Sequence, residues 1–201
     1  KEAVVQDYNS QKVGDYLSLL PVQNKRRVWD CCAASGGKSI MAVDMLGNIQ
    51  LTVSDIRESI LINLKKRFAV AGIKKYRSFV TDLSVAGLTE REEKFDLVIA
   101  DVPCSGSGTW GRTPEQLFYF KNEMIDKYAL LQKQIMSNVT QHIKPGGYIL
   151  YITCSVFKAE NEGMVNKLLE RNQFNLIKIE LLPGYSFRAD TMFVALLQKP
   201  L

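Results

Sequence analysis

Two of the four cysteines in this 201-residue chain stand where a thiol can react rather than fill a core. Cys104 lies in Asp101-Val102-Pro103-Cys104-Ser105-Gly106-Ser107-Gly108, just past the apolar run Phe95–Ala100. Cys154 lies in Thr153-Cys154-Ser155, just past a second run, Tyr148–Thr153. A structural cysteine belongs inside a strand, facing the core; these two fall beyond strand ends. Sequential strands are usually neighbours in a sheet, which would bring both thiols to one rim, a strand spacing apart. Either alone is as readily a loop or core residue, whereas the pair is a candidate nucleophile and helper. Cys31 and Cys32 are adjacent, too strained for a disulfide. No C-x-x-C is present, and the single His142 has no cysteine nearby, so no metal site is expected.

A second cluster follows the apolar run Arg27–Asp30: Cys31-Cys32-Ala33-Ala34-Ser35-Gly36-Gly37-Lys38-Ser39. Small residues there let a ligand approach the backbone, and the start of the next helix offers free N–H groups. A P-loop would need glycine at position 32, which is cysteine, and G-x-G-x-x-G is absent. A tight turn without a ligand stays open at this point. Asp30, Asp55, Asp82 and Asp101 end four successive strand candidates and predict a rim of carboxylates. Such a rim suits a nucleoside bearing a cation and disfavours a triphosphate. S-adenosylmethionine fits, with its ribose diol, adenine amine and sulfonium.

The elements that must carry these residues alternate. Strands are expected at 27–30, 49–54, 76–80, 95–100 and 148–153, with two more at 174–179 and 192–197 that supply an antiparallel edge. Helices are expected at 39–46, 59–71, 114–143 and 159–171, with Lys144-Pro145-Gly146-Gly147 ending the third. This is an α/β, Rossmann-like chain of the class I methyltransferase type: a mostly parallel seven-stranded sheet with helices on both faces. One catalytic domain is expected, residues 1–24 being a helical lead-in and 25–201 the core. Ligands in such sheets bind beyond the carboxyl ends of the strands.

The 26 Lys+Arg exceed the 21 Asp+Glu by five, a modest basic excess that suits a polyanion without requiring one. The clusters Lys25-Arg26-Arg27, Lys65-Lys66-Arg67 and Lys74-Lys75 with Arg77 serve equally well as solvated helix ends. No apolar run reaches membrane-spanning length, and the N-terminus has no signal-peptide core, so a soluble cytoplasmic protein is expected.

Asp101-Val102-Pro103-Cys104-Ser105-Gly106 and Thr153-Cys154-Ser155, with Glu160-Asn161-Glu162, resemble the Sun/Fmu-type RNA cytosine-5 methyltransferases. The loop Cys32–Ser39, Gln6-Asp7 and 190–195 extend the resemblance over almost the whole chain. Ser35 stands where that family usually has proline and Ser39 where it has threonine; Ser35 loosens the turn. The resemblance implies Cys154 as the thiolate that adds to carbon 6 of cytosine, with Cys104 assisting later steps and product release. It implies that Asp101 holds the amine or N3 side of the base and that Lys38 steadies the same region, a cation able to lower a thiol's pKa. S-adenosylmethionine would be held by Cys32, Ala33, Ala34, Ser35, Gly36, Gly37 and Lys38, with Asp55, Asp82 and Asp101. The partner would be RNA, ribosomal or transfer, bound by a metal-free monomer. DNA cytosine-5 enzymes use the Pro-Cys cysteine instead.

The family usually carries an additional RNA-binding region, so this chain is expected to be the catalytic core of a longer protein, the alternative being recognition of RNA by the core alone. A paired cytosine would have to leave the stack, with Trp110, Phe118, Tyr119 and Phe120 near to receive it, although Phe118 and Phe120 suit a core. His142, at a helix end, is assigned no catalytic role. The rival readings are a methyltransferase for another substrate and a catalytically silent RNA-binding module.

Overall fold

The computed structural model describes residues 4–85, 93–170 and 173–201. Seven strands form one sheet: β1 (Arg26–Asp30), β2 (Ile49–Asp55), β3 (Tyr76–Val80), β4 (Phe95–Asp101), β5 (Ile143–Thr153), β6 (Asn175–Leu182) and β7 (Met192–Gln198). Their order is β3-β2-β1-β4-β5-β7-β6. The first five run parallel, and β7 pairs antiparallel with both β5 and β6. The antiparallel strand is therefore an interior one, not the edge. β7 reads Met-Phe-Val-Ala-Leu-Leu and is buried on both faces, while β6 carries Lys178 and Glu180 and lies exposed at the rim. A continuous apolar run belongs inside a sheet.

Alternation along the strands feeds a hydrophobic layer on each face. On one face Val28, Leu51, Leu97 and Leu150 meet Ile40 of α2 (Gly37–Leu46) and Leu64 and Phe68 of α3 (Glu58–Val70). On the other, Trp29, Val98 and Tyr151 meet Ile135 and Val139 of α5 (Glu123–Val139) and Val165 of α6 (Glu162–Leu169). The segment before β1 is α1 (Tyr8–Lys12) followed by a 3-10 helix, Val13–Leu19. Its Val13, Tyr16 and Leu17 are fully buried in the first layer.

Three expected boundaries move. The helix expected over 114–143 is two helices, α4 (Glu115–Tyr119) and α5, because Phe120 turns the backbone to an extended conformation (ψ 139°). Lys144-Pro145-Gly146-Gly147 does not end a helix; it lies inside β5, where the pairing with β4 shifts register. Gly146 takes a left-handed φ of 72° there, and a side chain at Gly147 would meet the carbonyls of Lys144 and Phe95. The last helix is shorter, Glu162–Leu169, and Arg171, expected at its end, lies outside the described residues.

The turn between β1 and α2 depends on Gly36. Its φ is 83°, and a Cβ there would sit 2.6 Å from the Phe68 ring and 3.0 Å from Leu64. Gly36→Ala combines backbone strain with overpacking and should destabilise the fold by about 1–3 kcal/mol. In a chain of this size that lowers the melting temperature by roughly 2–12 °C, measurable by calorimetry; Gly37→Ala, whose Cβ meets nothing closer than 3.5 Å, should cost less.

Candidate active site

The strand order reverses between β1 and β4, and the carboxyl ends of these strands and their neighbours meet around a cavity of about 490 Å3. That position is where open α/β sheets bind ligands, and the volume falls in the ~300–1,000 Å3 range of small-molecule sites. Asp55, Asp82 and Asp101 line it, with apolar walls from Ile56, Leu83 and Pro103. A second, more open cavity of about 310 Å3 adjoins it, bordered by Ser35, Gly37, Lys38, Arg67 and Arg112. Cys32, Ala34, Asp101 and Cys154 line both cavities.

β4 and β5 are neighbours, and the two sulfurs at their ends stand 3.3 Å apart, both half-buried. Three sets of bonds hold them. The fully buried Glu160 carboxylate accepts from the Ser105 N–H at 3.0 and 3.2 Å and from its hydroxyl at 2.9 Å, fixing the residue after Cys104. Asn161 accepts from the Thr153 hydroxyl at 2.6 Å and donates to the Ser155 carbonyl at 2.8 Å, bracketing Cys154 on both sides. Gly108 donates from its N–H to the Cys154 carbonyl at 2.8 Å and accepts from the Thr191 N–H at 2.8 Å. A Cβ on Gly108 would lie 2.0 Å from the Thr191 carbonyl, so no side chain fits there. The hydroxyls of Ser105, Ser107 and Ser155 close the space between the loops at 3.1–3.3 Å.

Lys38 is nearly buried; its ammonium lies 3.2 Å from Asp101 and donates to Ser10 at 2.7 Å. Gln6 accepts from that Ser10 hydroxyl and donates to the Gly37 carbonyl. Lys38 is thus paired with the acid, and the cation within electrostatic reach of the thiol is Arg112. The Cys154 thiol is held well above the ordinary range by its bond to Cys104, by burial, and by the charges of Cys104, Asp101 and Asp190. This corrects the expectation that Lys38 lowers it.

The rim of acids is also smaller than expected. Asp30 lines neither cavity; it is fully buried, accepts from the Ser39 hydroxyl at 2.6 Å, and leaves Oδ1 without a hydrogen-bond partner among the described residues. Burial raises its pKa to about 7. Asp55 accepts from the Ala34 N–H and from the N–H and guanidinium of Arg57. Burial opposes its charge, but those bonds prevail and hold its carboxyl below the usual range. Asp82 is exposed, and one of its oxygens takes the N–H and hydroxyl of Ser84.

The loop Cys32–Ser39 divides its residues. Cys32 and Ala34 face the larger cavity as well as the smaller, whereas Ala33, Ser35, Gly37 and Lys38 border only the smaller. Gly36 faces neither and packs under the loop against Phe68. The slack expected at Ser35 is taken up by Arg67, which donates to its hydroxyl.

Phe118, expected in the core, is 83% exposed, because the break after Tyr119 changes the helical phase. Phe120 is half-buried and stacks on Phe157 at 5.4 Å, with Trp110 edge-on at 4.8 Å. His142 is buried edge-on against Trp29 and lines neither cavity. The bracing roles of Glu160 and Asn161 and the contributions of Ser10, Gly108 and Arg112 have no signal in residue spacing. The only pointer was that Glu160-Asn161 closely follows Thr153-Cys154-Ser155.

Two outcomes are expected from these environments. With Cys104→Ala, Cys154 loses its principal pKa-raising partner, so iodoacetamide should alkylate it about tenfold faster at pH 8, by peptide mass spectrometry; an unchanged rate would leave burial as the sole control. Folded Asp30 keeps its proton to about pH 7, whereas unfolded Asp releases it near 3.8, so stability falls as pH rises across that window. The melting temperature of Asp30→Asn, relative to the unsubstituted protein, should therefore rise between pH 5 and pH 8.

The chain is similar in sequence and in fold to known proteins. The family described as 16S rRNA methyltransferase RsmB/F matches residues 17–197. A relative from Xanthomonas campestris pv. campestris named Ribosomal RNA small subunit methyltransferase B is 32% identical over 168 residues, covering 83% of this chain and 38% of that protein. The same name is carried by a relative from Xylella fastidiosa, 31% identical over 170 residues, covering 85% of this chain and 39% of that protein. The chain thus spans well under half the length of these relatives. Among solved structures, PH0851 superposes with a TM-score of 0.87 at 28% identity, over 98% of this chain and 47% of the other. NSun6 from Pyrococcus horikoshii with SFG gives 0.84 at 20% identity, over 96% of this chain and 52% of the other. With 181 of its residues inside the family match, the chain belongs to the 16S rRNA methyltransferase RsmB/F family.

Proposed function

We propose that this chain transfers a methyl group from S-adenosylmethionine to carbon 5 of a cytosine in ribosomal RNA, through a covalent bond between Cys154 and the base. The observation that carries this reading is that the two cavities meet at Asp101 and Cys154, with Cys104 at 3.3 Å; the larger is read as the donor side and the smaller as the acceptor side. A methyl donor in one and a flipped-out base in the other would face each other across that shared wall. The relatives' names supply the acceptor class, ribosomal RNA of the small subunit. With that acceptor we further propose a metal-free monomer acting in the cytoplasm. No described helix is long and apolar enough to cross a membrane, and no described cluster of His, Cys, Asp or Glu could hold a metal.

The larger cavity fits S-adenosylmethionine by the chemistry of its lining. Asp55 and Asp82 supply carboxylate oxygens for a ribose diol and an amine, Ile56 and Leu83 an apolar slot for a purine, and Asp101 a negative charge near a sulfonium. When bound, the donor supplies an electrophilic methyl group.

The chain's own residues do the rest. Asp101, held by Lys38, accepts the exocyclic amine of cytosine or shares a proton with ring nitrogen 3. Cys154 gives up its thiol proton and its sulfur adds to carbon 6, making carbon 5 nucleophilic. Once carbon 5 carries the methyl group, its proton must leave; the C–S bond then breaks, restoring the aromatic ring and the Cys154 thiolate. Cys104 is the nearest group able to carry protons for these steps. The raised pKa of Cys154 keeps it a neutral thiol at rest, so its minor thiolate fraction, and with it activity, should keep rising from pH 6.5 to pH 8.5 without a plateau.

Tritiated-methyl transfer from S-adenosylmethionine to small-subunit RNA tests the reading. Cys154→Ala should reduce product at least about a thousandfold, the scale of losing a covalent nucleophile, whereas Cys104→Ala should accumulate a protein–RNA adduct on denaturing gels. Activity surviving in Cys154→Ala would overturn the assignment.

A further inference from the structure

A third cavity, about 280 Å3, opens beside the acceptor-side cavity and has no part in the chemistry above. Its walls combine two exposed aromatic rings with two lysines: Tyr8 and Phe187, with Lys12 and Lys178. Tyr8 and Phe187 lie 5.7 Å apart at a 33° tilt, and Phe187 is 63% exposed. The Lys12 ammonium sits 5.7 Å from the Tyr8 ring centre, and that of Lys178 sits 4.6 Å above Tyr16. Arg188 follows Phe187 and is exposed. The two acids present, Asp15 and Glu180, are occupied: Asp15 by Lys12 at 3.7 Å, and Glu180 by Lys178 at 3.3 Å and by the Tyr16 hydroxyl at 2.9 Å.

The aromatic platform is rigid and tied to the nucleophile. Gly184 accepts from the N–H groups of Phe187 and Ala189, closing the loop that carries Phe187. A Cβ at Gly184 would lie 2.2 Å from the Ala189 carbonyl, so the loop closes without room for adjustment. Thr191, at the end of that loop, bonds Gly108, which bonds the Cys154 carbonyl. Asn9 lines the third cavity and donates to the carbonyls of Leu182 and Asp190. Asp190 lines the acceptor-side cavity and is gripped by Arg112 at 3.1 and 2.8 Å. One thin wall, Asp7–Asn9 against Asp190, therefore separates the third cavity from the one that contains Cys154.

Solvent-exposed rings flanked by cations, one thin wall away from the cavity that contains Cys154, suit a single-stranded nucleic acid: rings stack bases and cations meet phosphates. We propose that this pocket takes an unpaired nucleotide of the RNA strand that continues from the target cytosine, its base on Phe187 and Tyr8 and its phosphate toward Lys12 and Lys178. The inference rests on the transferase reading only in taking the strand to enter at the neighbouring cavity.

Fluorescence anisotropy with a fluorescein-labelled 12-mer oligocytidylate, without methyl donor, reads the site apart from catalysis. Phe187→Ala and Tyr8→Ala should each weaken binding about tenfold, the scale of losing one base stack. Tyr185→Ala, an exposed ring outside the pocket, should stay within about twofold as the control. Phe187→Leu keeps apolar bulk but removes the stacking face; it should bind as weakly as Phe187→Ala at an unchanged melting temperature. S-adenosylhomocysteine affinity, by calorimetry, should be the same in all variants. Unchanged binding in Phe187→Ala and Tyr8→Ala, full binding by Phe187→Leu, or no binding by the unsubstituted protein would each overturn the proposal. Ring-dependent binding in a protein that transfers no methyl group would leave this site standing and remove the transferase reading instead.

Discussion

Two chain segments leaving neighbouring parallel strands must be held so that their thiols face each other across 3.3 Å without joining the core. Parallel strands alone bring the backbones of β4 and β5 near each other, but they do not fix the loops beyond. That task falls to a buried polar layer from the turn before α6. Glu160 grips the loop of Cys104 and Asn161 grips the loop of Cys154, while Tyr151 donates to the Glu160 carbonyl at 2.6 Å from within β5. Gln132 of α5 holds the Pro103 carbonyl at 3.0 Å from the other side. A buried carboxylate is costly unless its hydrogen bonds are satisfied, and here its bonds are what join the two loops. The architecture around the site follows from keeping that layer intact and dry.

The electrostatics divide along the same wall. Lys38 neutralises Asp101, and Arg112 neutralises Asp190, so the smaller cavity presents paired charges, which on the proposed function a base would exchange for its own hydrogen bonds. The Cys154 thiol, beside Cys104 and two acids, is disfavoured as an anion in the resting protein. On the proposed function, a nucleophile kept neutral until its substrate arrives would not scavenge stray electrophiles, including a methyl donor bound in the adjoining cavity. Reactivity would then depend on the base displacing water and drawing the proton away.

Much of this was legible in the sequence because it depends on local chemistry. The strand runs, the glycine turn at Gly36, and the placing of Cys104 and Cys154 past strand ends follow from hydrophobic pattern and residue type. The interior position of β7 was available in its unbroken apolar run. Other features depend on the third dimension. Asp30 resembles Asp55 and Asp101 as a strand-ending acid, yet side-chain alternation turns it under α2 toward Ser39. Lys38 was read as a partner for a thiol, whereas the approach of β4 gives it Asp101. Phe118 was misplaced because a single extended residue, Phe120, breaks the helical phase. No residue spacing relates Tyr8 to Phe187, which meet when the last strands fold back onto the start of the chain, or Gly108 to Thr191, which meet when β7 inserts beside β5.

The central claim is that Cys154, and not Cys104, forms the bond to the base. RNA containing 5-fluorocytidine, whose fluorine cannot leave as a proton does, should trap that bond in the presence of S-adenosylmethionine. Peptide mass spectrometry of the trapped complex should place the nucleotide on the peptide containing Cys154. An adduct on Cys104, or methylated product formed with neither cysteine modified, would contradict the account.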